Sequence, residues 1–150
     1  MRVTDSDLEV LESQGFVVIE GFLSPGEVEQ AREVLFEVFP APDEYFANPG
    51  AFEHLQRGQF AGIELLPVGW DLDRLAFHPD LVDAAERFLG TSDLELYKVE
   101  YWAKYSGGVD HEQSHHRDFG NHSLVVPRAD GYGRQLTSFT LLSDVTEHDA

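Results

Sequence analysis

The chain has 150 residues, a formal net charge of −18 and no cysteine. Its length points to one domain with its own core, and a hydrophobic content of 42 % excludes a disordered chain. The missing cysteines exclude a disulfide framework, an iron–sulfur cluster and thiolate zinc sites; the acidity disfavours nucleic acid and anionic membranes as partners, and no apolar run nears the ~18 residues of a membrane span.

The acids are spread along the sequence, which reads as solubility rather than as one face built to attract a cationic partner. Met1 to Asp7 show no basic stretch leading into an apolar one, so a cytoplasmic location is expected. Thr4-Asp5-Ser6-Asp7 offers an N-cap with an acid three residues on, Leu8 and Leu11 follow at helical spacing, and Gly15 suits the C-terminal cap. Phe16 to Glu20 is β-branched and aromatic, a short strand by pattern. Ser24-Pro25-Gly26-Glu27 is a capping box with proline at the first helical position. Val28, Ala31, Leu35 and Val38 make one apolar stripe behind it, and Pro40-Ala41-Pro42 ends the helix.

Residues 43 to 70 carry no clear period. A further helix is expected from about Pro79 to Phe88, with Leu81, Val82, Ala85 and Leu89 inward and Gly90 as its stop. Leu94 to Tyr105 alternates and is rich in aromatics, a long strand. A loop follows over 106–115, then a short strand Leu124 to Val126, a glycine-containing turn, and a strand Leu136 to Leu142. Helices first and strands later predict an α+β fold with an antiparallel sheet.

Of the seven histidines, His111, His115, His116 and His122 fall within twelve residues, beside Asp110, Glu112 and Asp118. A single histidine here is ordinarily a surface or hydrogen-bonding residue. His116-Arg117-Asp118 is more specific. In an extended segment, residues i and i+2 point to the same side, so the His116 imidazole and the Asp118 carboxylate can meet one ion while Arg117 points away. With a third, distant histidine they would complete a two-histidine, one-carboxylate facial triad. Such a triad leaves open positions on iron(II).

Three other chemistries start from the same letters. H-R-D and D-F-G are kinase motifs, but here they share Asp118, which cannot fill both roles, and no nucleotide loop precedes them. A zinc hydrolase has the ligand types, yet no H-E-x-x-H helix is present. A serine nucleophile lacks its G-x-S-x-G elbow.

The sequence resembles the phytanoyl-CoA dioxygenase family along nearly its whole length. Leu11 to Ser24 (LESQGFVVIEGFLS) looks like that family's opening helix, strand and turn. Leu75 to Gly90 (LAFHPDLVDAAERFLG) resembles the helix before its core, and Leu94 to Tyr105 the next strand. His115-His116-Arg117-Asp118 stands where the family has W-H-x-D, and Leu136 to Ala150 is similar to a later strand and loop.

The resemblance implies N-terminal helices, about 1–92, packed on a double-stranded β-helix or jelly-roll core that starts at about 93 and is incomplete here. It implies iron(II) and 2-oxoglutarate, with His116 and Asp118 as metal ligands and catalytic residues. The acid at 118 favours hydroxylation of a small organic substrate over halogenation, and the net acidity disfavours a CoA thioester. Phe139, by strand position, and Tyr101 beside it are the candidates for contact with 2-oxoglutarate; both also read as ordinary core aromatics. The distal histidine is expected beyond Ala150. A chain that stops before it should associate through unpaired sheet edges. Two rival classes stay open: a non-catalytic jelly-roll remnant or binding module, holding iron weakly, and another metal-dependent cupin-like enzyme, active without 2-oxoglutarate.

Overall fold

The computed structural model describes residues 1–55, 61–63, 69–105 and 134–146. The helical half forms where the caps direct it. Thr4 and Asp7 build a reciprocal capping box: the Thr4 hydroxyl accepts from the Asp7 N–H, and the Asp7 carboxylate accepts from the Thr4 N–H at 2.8 Å. This opens α1 (Asp5–Gln14), which Gly15 ends at φ +83°, a left-handed conformation that glycine adopts without a Cβ penalty. Ser24 and Glu27 repeat the device at the start of α2 (Pro25–Val38). The stripe Val28, Ala31, Leu35, Val38 lies on the inner side of α2, with Ala31 fully buried.

The span without sequence period holds short elements. Pro42 starts α3 (Pro42–Ala47), a 3-10 helix follows over Pro49–Leu55, and α4 (Trp70–Asp73) is a single turn after Gly69. α5 (Pro79–Leu89) has His78 as its N-cap and Gly90, at φ +72°, as its stop. Its inner face is turned slightly from the expected one: Ala84 is buried, whereas Val82 is exposed.

α2 and α4 pack together around Ala31, Leu72 and Leu75, with Leu23, Val34, Leu35, Tyr101 and Leu142 closing over them. A second link joins the N-termini of α2 and α5. The Arg2 guanidinium donates to Glu27 and to the Phe22 carbonyl and pairs with Asp80. The His78 ring lies 3.3 Å from Glu27 through Nε2 and accepts from the Asp80 N–H through Nδ1. At the other end, Arg87 of α5 ties α1 through Asp5 and the Val3 carbonyl.

The strands are where the structure departs from the sequence expectation. The described residues hold one two-stranded antiparallel sheet, β1 (Ala61–Ile63) against β2 (Tyr101–Ala103), with Gly62 opposite Trp102. So, of the expected strand Leu94 to Tyr105, the three residues Tyr101–Ala103 pair as a strand among the described residues. Phe16 to Glu20 keeps a period of two in its burial, with Val17 and Ile19 half-buried and Phe16 and Val18 exposed, but it joins no ladder among the described residues. Leu136 to Leu142 likewise forms no strand there. The described residues are thus helix-rich and do not show the jelly roll. The expected strand Leu124 to Val126 lies outside them.

Candidate functional site

Of the four residues singled out by sequence, His116 and Asp118 lie outside the described residues. Among the described residues no group of three or more histidine, aspartate or glutamate side chains could hold a metal ion. What the structure does place is the ground on which Tyr101 and Phe139 stand.

Tyr101 belongs to β2, and its ring joins the core cluster formed by α2 and α4. Its hydroxyl donates to Asp73 Oδ1 at 3.0 Å. Asp73 closes the single turn of α4 and is only 6 % exposed. Its other oxygen, Oδ2, accepts from the Gly69 N–H at 3.1 Å, so one carboxylate holds both the start of α4 and the strand beside it. Burial, reinforced by the Asp73 carboxylate, pushes the Tyr101 phenol far above its ordinary value. Tyr101 is therefore a protonated donor at any physiological pH, and that donor is already engaged.

Gly69 makes the approach possible. A Cβ at this position would lie 2.6 Å from Val34 Cγ1 on α2, well inside contact distance. Its φ of −174° is ordinary extended backbone, so the need for glycine here is one of space.

Phe139 has a different setting. In 134–146, Leu136 and Leu142 are half-buried, and Leu142 packs on the same core cluster as Tyr101. Phe139 is 85 % exposed and Leu141 is 65 % exposed. Between Leu136 and Leu142 every side chain from Thr137 to Leu141 is exposed. Tyr101 and the segment carrying Phe139 thus meet at one core, without the two rings being in contact.

A second aromatic group flanks β2. Tyr105 stacks on the buried Tyr45 of α3, with centroids 3.9 Å apart and planes 12° from parallel, and donates its hydroxyl to the Pro40 carbonyl at 2.8 Å. Burial raises the Tyr105 phenol to about 12. This fixes the chain at the point where it leaves for residues 106–133, which carry His116 and Asp118.

Asp73, Gly69 and Arg134 were not legible as site-forming residues. Asp73 had a signal, an acid three residues after Gly-Trp, but helix-turn acids are common. Gly69 and Arg134 act through residues distant in sequence, which no local pattern reveals.

The comparisons with known proteins place the sequence in a class. The model of the phytanoyl-CoA dioxygenase family matches residues 11–150, and the chain belongs to that family. Its members are in general iron(II)- and 2-oxoglutarate-dependent oxygenases, which makes the class an oxidoreductase one. No curated protein and no solved structure matches the chain. Among the described residues no helix is long and apolar enough to cross a membrane.

Proposed function

We propose that this chain is part of an iron(II)- and 2-oxoglutarate-dependent dioxygenase that hydroxylates a small organic substrate. The observation that carries the reading is the family match over residues 11–150 with His116-Arg117-Asp118 inside it. An imidazole and a carboxylate two residues apart are the right donor pair for iron(II), and together they cover two adjacent coordination positions. A further histidine is the third ligand. Iron with 2-oxoglutarate supplies the oxygen activation; the protein supplies orientation and a dry pocket.

The described residues have definite parts in that work. The paired tyrosines at 45 and 105 hold the chain where it enters the metal-binding stretch. Phe139 offers an apolar ring for the carbon chain of 2-oxoglutarate. Tyr101 would contact that molecule by its ring, since an acidic cosubstrate has to compete with Asp73 for the hydroxyl proton. The location expected is the cytoplasm.

The test is succinate formation from 2-oxoglutarate by the full-length protein, with and without added iron(II). We expect iron-dependent turnover that disappears in His116→Ala, Asp118→Ala. Turnover that survives this double substitution sinks the reading, and activity on a substrate without 2-oxoglutarate transfers the chain to a cupin-like class.

A further inference from the structure

Two side chains of the segment 134–146 reach the described helices. One is Leu142, on the core of α2 and α4. The other is Arg134. Its guanidinium carbon lies 4.5 Å from the centre of the Phe88 ring, near the end of α5, and its Nη2 donates to Glu12 Oε2 of α1 at 2.9 Å. Glu12 and Phe88 also line an open groove of about 420 Å³ between α1 and α5, together with Asp5, Leu8, Glu9 and Arg87. Guanidinium suits this place because one planar group can stack on a ring and bond a carboxylate at the same time.

We propose that Arg134 is a positioning residue: its two-sided grip on Glu12 and Phe88 clasps 134–146 to the helices and so sets where Phe139 stands. The clasp itself needs only the contacts above, whereas its consequence for catalysis rests on the functional reading of Phe139. Between these two anchors lie seven residues, and the apolar side chains of Phe139 and Leu141 among them are exposed. An anchor at each end limits the rotation that would carry these side chains into the helices. Loss of one end leaves Leu142 as a pivot. The clasp also reaches α1 and α5 together, as the Arg87–Asp5 surface pair does.

Limited chymotrypsin digestion of the full-length protein tests the clasp without iron or cosubstrate. Phe139 is exposed in a segment outside helix and strand, and its cleavage rate follows the population that has come off the helices. Arg134→Ala should speed cleavage at Phe139 about fivefold, the scale of an exposed ion pair and a cation–π contact together. Phe16, also exposed and outside helix and strand, is the internal control, and its cleavage rate should not change. The charge-exchanged pair Glu12→Arg with Arg134→Glu should recover much of the loss, and Phe88→Leu should reproduce part of it. Unchanged cleavage at Phe139, or equal acceleration at both phenylalanines, overturns the proposal.

The catalytic consequence is then read as a split. Arg134→Ala should raise KM for 2-oxoglutarate by a larger factor than it lowers kcat, with Arg134→Lys between the two. A proportional fall in kcat alone overturns the positioning role. A protein that leaves 2-oxoglutarate untouched sinks the functional reading instead, and the proteolysis result still decides the clasp.

Discussion

At the scale of single residues, two positions carry more than their sequence neighbourhood suggests. Gly69→Ala places a methyl group where Val34 already stands, with 2.6 Å between the carbon atoms. Valine is stiff at χ1, so the strain passes to the packing of α2 on α4. We expect a loss of about 1–3 kcal/mol, as for other overpacked cores. A thermal melt measures it, and Val34→Ala in the same chain should return part of the stability. The second position is Tyr101. Tyr101→Phe leaves the ring in the core but strips a donor from the buried Asp73 carboxylate. An acceptor left short of its partner costs about 1–3 kcal/mol. Denaturant titration checks this, and an unchanged midpoint would show that the hydroxyl does not fasten β2.

At the scale of elements, the helix ends were legible and the strand ladders were not. A cap is local. Ser24 and Glu27 are three residues apart, and no distant residue has to be known for their reciprocal bonds to form. A ladder needs a partner, and the alternation in Leu94 to Tyr105 does not say which residues β1 sets opposite it. Phe16 to Glu20 shows the same limit from the other side, since it has the burial period of a strand and no ladder among the described residues. The stretch from 43 to 70 hid its short helices because each is too brief for a periodic signal to build up. The candidate site divides the same way. His116 and Asp118 were legible because their chemistry needs only i and i+2. Asp73 and Arg134 were not, because each acts on a residue far off in sequence.

Glu27 also belongs to this scale, because it holds two elements at once. The Ser24 hydroxyl, then Arg2, keep its carboxyl well below the usual carboxylate value of 4.5, at about 2. A depressed folded-state value means that the stabilisation is present above 4.5 and is lost as pH falls towards 2. Acid should therefore release the start of α2, and with it the Arg2 and His78 contacts. Glu27→Gln should flatten the pH dependence of the melting temperature across that window. It should also lower stability at neutral pH by up to about 1 kcal/mol, the weight of a cap.

At the scale of the whole molecule, the described core is small and several large apolar side chains are exposed. Phe16, Val18, Trp70, Phe139 and Leu141 are all more than 60 % exposed. Exposed apolar side chains in such number mark surfaces that meet something else. We expect the 150-residue chain to associate in a concentration-dependent way, as analytical ultracentrifugation would show. A monomer with a sharp two-state melt would oppose that expectation. The negative charge works against close approach of copies, so association should strengthen as salt is added.

The late-ionising tyrosines give this fold an optical gauge of its own docking. Two of the chain's five tyrosines, Tyr101 and Tyr105, sit at the two ends of the β2 stretch, with their phenols held in the neutral form by burial. A phenol whose value is raised by folding stabilises the folded chain fully below 10 and withdraws that support as the pH climbs above it. Alkali thus acts as a selective wedge. It drives a charge beneath β2 from both ends, while the capped helices, whose bonds involve carboxylates and amides, feel no such pull. Phenolate absorbance should rise late and in one step with the separation of β2 from the helices, and the helical circular dichroism should outlast it.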